Sequence, residues 1–252
     1  MSFFGTETTG CVLTRVTFLG TGNFKGIERY WNGFVLDDHI LVEPSPTALP
    51  HLRRCGIDAA GLDVVAISHF HADHTFGWPF LLLELLHRHV ATPLHVVGPP
   101  RVEQFLRTMM DVAGVPGIHE EAHEKLDIRY VEVDCSWQVA GPLRFRAVEV
   151  DHVAHLDCYG YVFERDGATV GYSGDTRPGA GLDAIAAASD TLILECNGPH
   201  HPAAGHMEVA HVEALRERFP DLPFVLTHLG TEVEAGHIER CLVPDDFQTV
   251  EI

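Results

Sequence analysis

The chain has 252 residues, 46% of them hydrophobic, which suffices for one large domain or two small ones around a sizeable core. Lys and Arg number 17 against 36 Asp and Glu, a formal net charge of −19 at pH 7. A surface this acidic repels phosphate backbones, so it excludes long nucleic acids and anionic membranes as general partners.

The opening stretch MSFFGTETTG lacks the basic and apolar segments of an export signal. The longest apolar run, around 78–86, is broken by Pro79 and Glu84 and is shorter than the roughly 20 residues a bilayer needs. The six cysteines form no C-x-x-C pair and read as reduced thiols rather than a disulfide framework. A soluble, cytoplasmic protein is expected. Strands are expected over 12–19, 33–36, 40–43, 64–68, 94–97 and 128–133, and again over 143–150, 160–164, 168–173, 191–195 and 224–227. Helices are expected over 47–55, 79–89, 101–112, 181–188 and 207–219. Asp37-Asp38 marks a turn between two apolar runs. The polar segment 114–125 reads as a surface loop or lid. Hairpins first and strand–helix alternation later point to an α/β fold: an αββα sandwich of two mixed sheets flanked by helices, as one domain over 1–252.

The strongest chemical signal is Ser68-His69-Phe70-His71-Ala72-Asp73-His74, directly after an apolar strand. On extended chain, residues two apart face the same side, so His69 and His71 can grip one cation. Asp73 and His74 fall on the following turn and reach a second position. Imidazole and carboxylate donors suit zinc, with manganese and iron as alternatives.

His-x-His-x-Asp-His resembles the signature of the metallo-β-lactamase superfamily. The turn Leu19-Gly20-Thr21-Gly22 resembles the opening of its ribonuclease Z-like branch. Asp151-His152, Ser173-Gly174-Asp175-Thr176 and Thr227-His228 resemble its later motifs, in family order. The resemblance implies two divalent metal ions, one on His69, His71 and His152, the other on Asp73, His74 and His228. Asp175 and a water would bridge them. His155, three residues beyond His152, is the rival third ligand. Glu43 stands where many relatives carry a supporting Asp; an orienting role and an ordinary strand-end glutamate weigh equally. Glu195 and His206 match a branch pair near the scissile phosphate, His206 as proton donor and Glu195 as its orienter. Asp73, His206 and Glu195 are therefore the expected catalytic residues. His200 and His201 have weaker claims.

His119-Glu120-Glu121-Ala122-His123 matches H-E-x-x-H, which binds zinc when it lies on a helix. No long amphipathic helix surrounds it, so a solvated loop is expected. The run from Phe76 to Phe80 reads as core packing, with Phe76 or Trp78 at a pocket mouth as the lesser reading.

The resemblance implies hydrolysis by an activated hydroxide. Ribonuclease Z proteins of bacteria carry a long tRNA-gripping arm between the positions of His152 and Asp175, and this chain lacks it. A small-molecule substrate follows: a small phosphodiester, such as a cyclic nucleotide or cyclic ribose phosphate. A carboxylic ester, lactone or thioester is the alternative, and a non-catalytic metal-containing sensor the second. Many relatives are dimers, so a homodimer belongs to the expectation, although no interface is readable.

Overall fold

The computed structural model describes residues 14–198, 205–231 and 233–252. Cys11, His200, His201 and the start of the strand expected over 12–19 lie outside them. The chain forms β1 (Arg15–Gly20), β2 (Gly33–Leu36), β3 (Ile40–Val42), α1 (Ala48–Arg54) and β4 (Val64–Ala66). It continues through α2 (Ala72–Thr75), α3 (Trp78–His87), β5 (Leu94–Gly98), α4 (Val102–Val112), α5 (Ile118–Lys125) and β6 (Ile128–Glu132). Next come β7 (Trp137–Ala140), β8 (Leu143–Glu149), β9 (Tyr159–Arg165), β10 (Ala168–Tyr172) and α6 (Ala180–Ala187). The chain ends with β11 (Thr191–Glu195), α7 (Val209–Arg218), β12 (Phe224–Thr227), β13 (Cys241–Leu242) and β14 (Thr249–Glu251).

Two seven-stranded mixed sheets result, in the orders β14-β1-β2-β3-β4-β5-β6 and β13-β12-β11-β10-β9-β8-β7. The central strands β2, β3, β4 and β12 are apolar on both faces because both faces are covered. Phe34 and Leu36 of β2, Ile40 and Val42 of β3, and Val64 and Ala66 of β4 turn inward, against Phe145, Tyr161, Phe163 and Tyr172 of the second sheet. The alternate residues Val35, Leu41 and Val65 turn outward, against Leu52 of α1, Leu81 and Leu85 of α3 and Leu106 of α4. On the other outer face, Ile185 of α6 and Leu215 of α7 cover Leu192, Leu194, Phe224 and Leu226. This is the expected αββα sandwich.

Asp37 and Asp38, with φ of 49° and 63°, make the tight β2–β3 turn. One expectation fails. Residues 118–125 form helix α5, not a loop, because Ile118, Ala122 and Leu126 repeat every four residues and pack on the α3–α4 layer. The H-E-x-x-H segment therefore does lie on a helix. Strands β7, β13 and β14 were not expected. No helix among the described residues is long and apolar enough to cross a membrane.

Strands β8, β10, β11 and β12 run in the same direction, as do β3 and β4. The residues at and beyond their C-terminal ends therefore gather along one rim. Glu43, the histidine motif, His152, Asp175, Glu195 and His228 all come from there.

Candidate metal centre

Beyond β4 the chain leaves the sheet, and His69 and His71 meet at 2.9 Å, Nε2 to Nδ1. Ser68 Oγ partners His69 Nδ1 at 2.9 Å, which aims the opposite nitrogen at the cluster. Asp73 and His74 sit on α2, whose Thr75 hydroxyl donates to the His71 carbonyl at 2.8 Å. His152 follows β8; its Nδ1 donates to the Gly205 carbonyl at 2.7 Å, leaving the Nε2 lone pair to face His71 at 3.3 Å. His155 is exposed, with its ring centre 6.3 Å from that of His71, and joins no donor group. Between the two rival histidines, His152 is the one the fold turns inward.

Asp175 lies at the centre. Its Oδ2 is 3.3 Å from His74 Nε2, 3.4 Å from His228 Nε2, 3.8 Å from His69 Nε2 and 3.9 Å from His152 Nε2. It is placed by the β10 turn, where Gly174 adopts φ 58° and a Cβ would fall 2.4 Å from the Tyr159 carbonyl. Asp73 Oδ2 is 3.5 Å from His228 and 3.6 Å from His74. Two adjoining donor groups result: His69, His71, His152 and Asp175, and Asp73, His74 and His228.

The donor set fits divalent cations. His74 Nδ1 and Nε2, His228 Nε2 and Asp175 Oδ1 are buried with no hydrogen-bond partner among the described residues. Orphaned buried donors and acceptors are costly unless something else satisfies them. Burial holds His69 well below the ordinary imidazole range, lowers His71 and brings His152 down to about 4, so all three are neutral imidazoles at pH 7. Burial opposes ionisation of Asp175, yet His228 and His74 hold it well below the carboxylate range. Burial likewise opposes charge on His74, yet Asp175 and Glu43 draw it well above the imidazole range. The carboxylates here demand positive charge.

Glu43 is fully buried at the end of β3. It accepts the Ser68 amide proton at 3.2 Å and lies 3.5 Å from His74 Nδ1. It braces the histidine loop. Glu195 ends β11, accepts the Thr176 amide proton at 2.6 Å and meets His206 Nδ1 at 3.0 Å. Burial lowers the pKa of His206, but the Glu195 carboxylate outweighs it and holds the ring above its ordinary range. His206 also groups with Asp175 and His228.

Several supports were not anticipated. Tyr161 Oη donates to the Ile67 carbonyl at 2.6 Å, pinning the strand end before the histidines. Asn32 donates to Tyr172 Oη and accepts from Thr227 Oγ1, tying β2 to the strand before His228. Asn197, held by Asn23 at 3.0 Å, lies 3.5 Å from His228 Nδ1. No local sequence pattern signals them.

A cavity of about 740 Å³ opens over the cluster, with His71, Asp73, Asp175, His206 and His228 on its floor. Phe24, Trp31, Pro46, Phe76 and Phe80 wall it. Phe76 is half exposed at the mouth, whereas Trp78 is fully buried in the core. Among the described residues no Lys or Arg lines it; the Lys25 ammonium lies 5.4 Å from the centre of the Phe24 ring.

The sequence matches the family described as Beta-lactamase superfamily domain over residues 38–229. The chain belongs to the metallo-β-lactamase superfamily. Among its superfamily relatives is the ribonuclease Z of Mycobacterium bovis (strain BCG / Pasteur 1173P2), 28% identical over 162 residues. That alignment covers 61% of this chain and 58% of the ribonuclease Z, less than two thirds of its length. Among solved structures, the metallo-β-lactamase fold protein YhfI from Bacillus subtilis superposes with a TM-score of 0.75 at 20% identity, over 95% of this chain and 100% of that one. The short form of human tRNase Z gives 0.72 at 20% identity, over 94% and 98%. Both show the same fold. Within that superfamily the sequence likeness is to ribonuclease Z proteins.

Proposed function

We propose that this chain is a cytoplasmic phosphodiesterase acting on a small phosphodiester of the cyclic nucleotide or cyclic ribose phosphate type. In this reading two divalent cations, zinc first, are held by His69, His71 and His152 and by Asp73, His74 and His228, with Asp175 between them. The observation that carries it is the pair of adjoining donor groups meeting at Asp175 under one cavity. When bound, such a pair supplies an ionised water at neutral pH and neutralises charge developing on the substrate.

The chain's own residues do the rest. Asp175 keeps the two donor groups in register through one oxygen. Glu195 accepts the His206 Nδ1 proton, which leaves Nε2 as the atom that gives a proton to the leaving oxygen. The aromatic walls exclude water and hold a planar or apolar substituent against the floor. A small substrate is supported by the net charge of −19 and by the short stretch from His152 to Asp175, most of which is taken up by β9 and β10.

The wall favours one second reading. With apolar side chains and no Lys or Arg around the mouth, an uncharged carboxylic ester, lactone or thioester fits as well as an anion.

The test is hydrolysis of bis(p-nitrophenyl) phosphate by protein loaded with zinc or manganese, beside a lactone and a thioester. Diester cleavage lost in Asp73→Ala is the expected result. In His206→Ala, turnover falls about 10²-fold with metal content unchanged. Cleavage of the carbonyl substrates alone overturns the phosphodiester reading in favour of the second. A metal-loaded protein that cleaves neither is a ligand sensor.

A further inference from the structure

A second group of side chains able to hold a metal lies on helices α4 and α5. We propose that Glu103, His119 and His123 form an accessory site for a divalent transition-metal ion of the zinc class, which clips α4 to α5. His119 and His123 are four residues apart on α5 and so share one helix face. Glu103, in the first turn of α4, comes up against them, and one donor atom from each residue lies within 4.8 Å of the others.

The ring settings suit a ligand. His123 Nδ1 donates to the His119 carbonyl at 2.8 Å, which fixes the tautomer and leaves Nε2 with a free lone pair. His119 is only 4% exposed, yet its buried Nδ1 has no hydrogen-bond partner among the described residues. Its Nε2 stands 3.7 Å from Glu103 Oε1, too far for a hydrogen bond and close enough for one ion to join them. Tyr130 closes the back: its ring stacks on His123 at 5.5 Å, and its buried hydroxyl also lacks a partner. Burial lowers the pKa of His119, so it is a neutral imidazole at pH 7, as a ligand must be.

The site is a clip and not a second hydrolytic centre. In a catalytic H-E-x-x-H helix the glutamate is the general base. Here that residue, Glu120, is ion-paired with Arg107 of α4 and is engaged elsewhere. The third ligand instead comes from the neighbouring helix, so binding joins two elements that are otherwise held by packing and that ion pair.

The test counts metal and does not depend on the reaction. Full-length protein is dialysed to equilibrium against zinc, and zinc per chain is measured for the native sequence, Glu103→Gln and His123→Ala. Both side chains are exposed, so the variants leave the core intact. The expected result is one ion per chain fewer, or at least tenfold weaker binding of one ion, in each variant, with hydrolysis unchanged. Asp73→Ala retains the ion that these variants lose. Equal zinc content and equal affinities in all three proteins overturn the proposal.

Discussion

Glu43 has φ 59°, a left-handed setting that costs a non-glycine residue about 1–2 kcal/mol. The setting turns its carboxylate under the Ser68 amide and toward His74 Nδ1. Glu43→Gln keeps the size but removes the charge that orients His74. Metal affinity should fall about 10–100-fold, the usual cost of losing such a support, with the fold retained. Competition with a chromophoric chelator measures it; unchanged affinity would show that the backbone alone sets His74. At this scale the candidate site was legible where its donor side chains crowd into one window, as in His69 to His74. It was not legible where partners come from far along the chain. Tyr161 lies 94 residues from the Ile67 carbonyl it pins, and Asn32 lies 140 residues from Tyr172, so no spacing relates them.

Among the elements, the strands with two apolar faces announced themselves, because burial on both sides leaves a continuous Val, Ile, Leu and Phe run. Helix α5 did not: its apolar stripe is three residues deep in charged sequence, and packing on α3 and α4 outweighs that composition. Strands β13 and β14, two and three residues long, exist only through their pairing with β12 and β1. The join between the histidine loop and α3 is tight. A Cβ on Gly77 would sit 2.0 Å from the Ser45 carbonyl oxygen and 2.8 Å from that of Pro44, both backbone atoms. Gly77→Ala should therefore destabilise by on the order of 3 kcal/mol, read as a lower urea midpoint at unchanged slope. A shift under about 0.5 kcal/mol would mean that the 44–45 segment gives way freely.

The two sheets share one inner core, so neither can keep its inner face dry alone. Calorimetry should show a single cooperative transition. Ions at about 1,000 times their dissociation constant add roughly 4 kcal/mol, which in a chain of this size is on the order of 8–16 °C in Tm. Chelation should remove that increment. A Tm indifferent to chelator would deny that the cluster binds metal tightly. The aromatic mouth without Lys or Arg also governs how substrate arrives. On a chain of net charge −19, an anion drifting toward that mouth climbs a repulsive potential whose reach shrinks to about 8 Å at physiological ionic strength. Added salt lowers the climb. For an anionic diester, kcat/KM should rise with ionic strength, while for a neutral lactone it should stay flat. Diffusional capture here is hastened by salt, the reverse of what a cation-lined cleft would give.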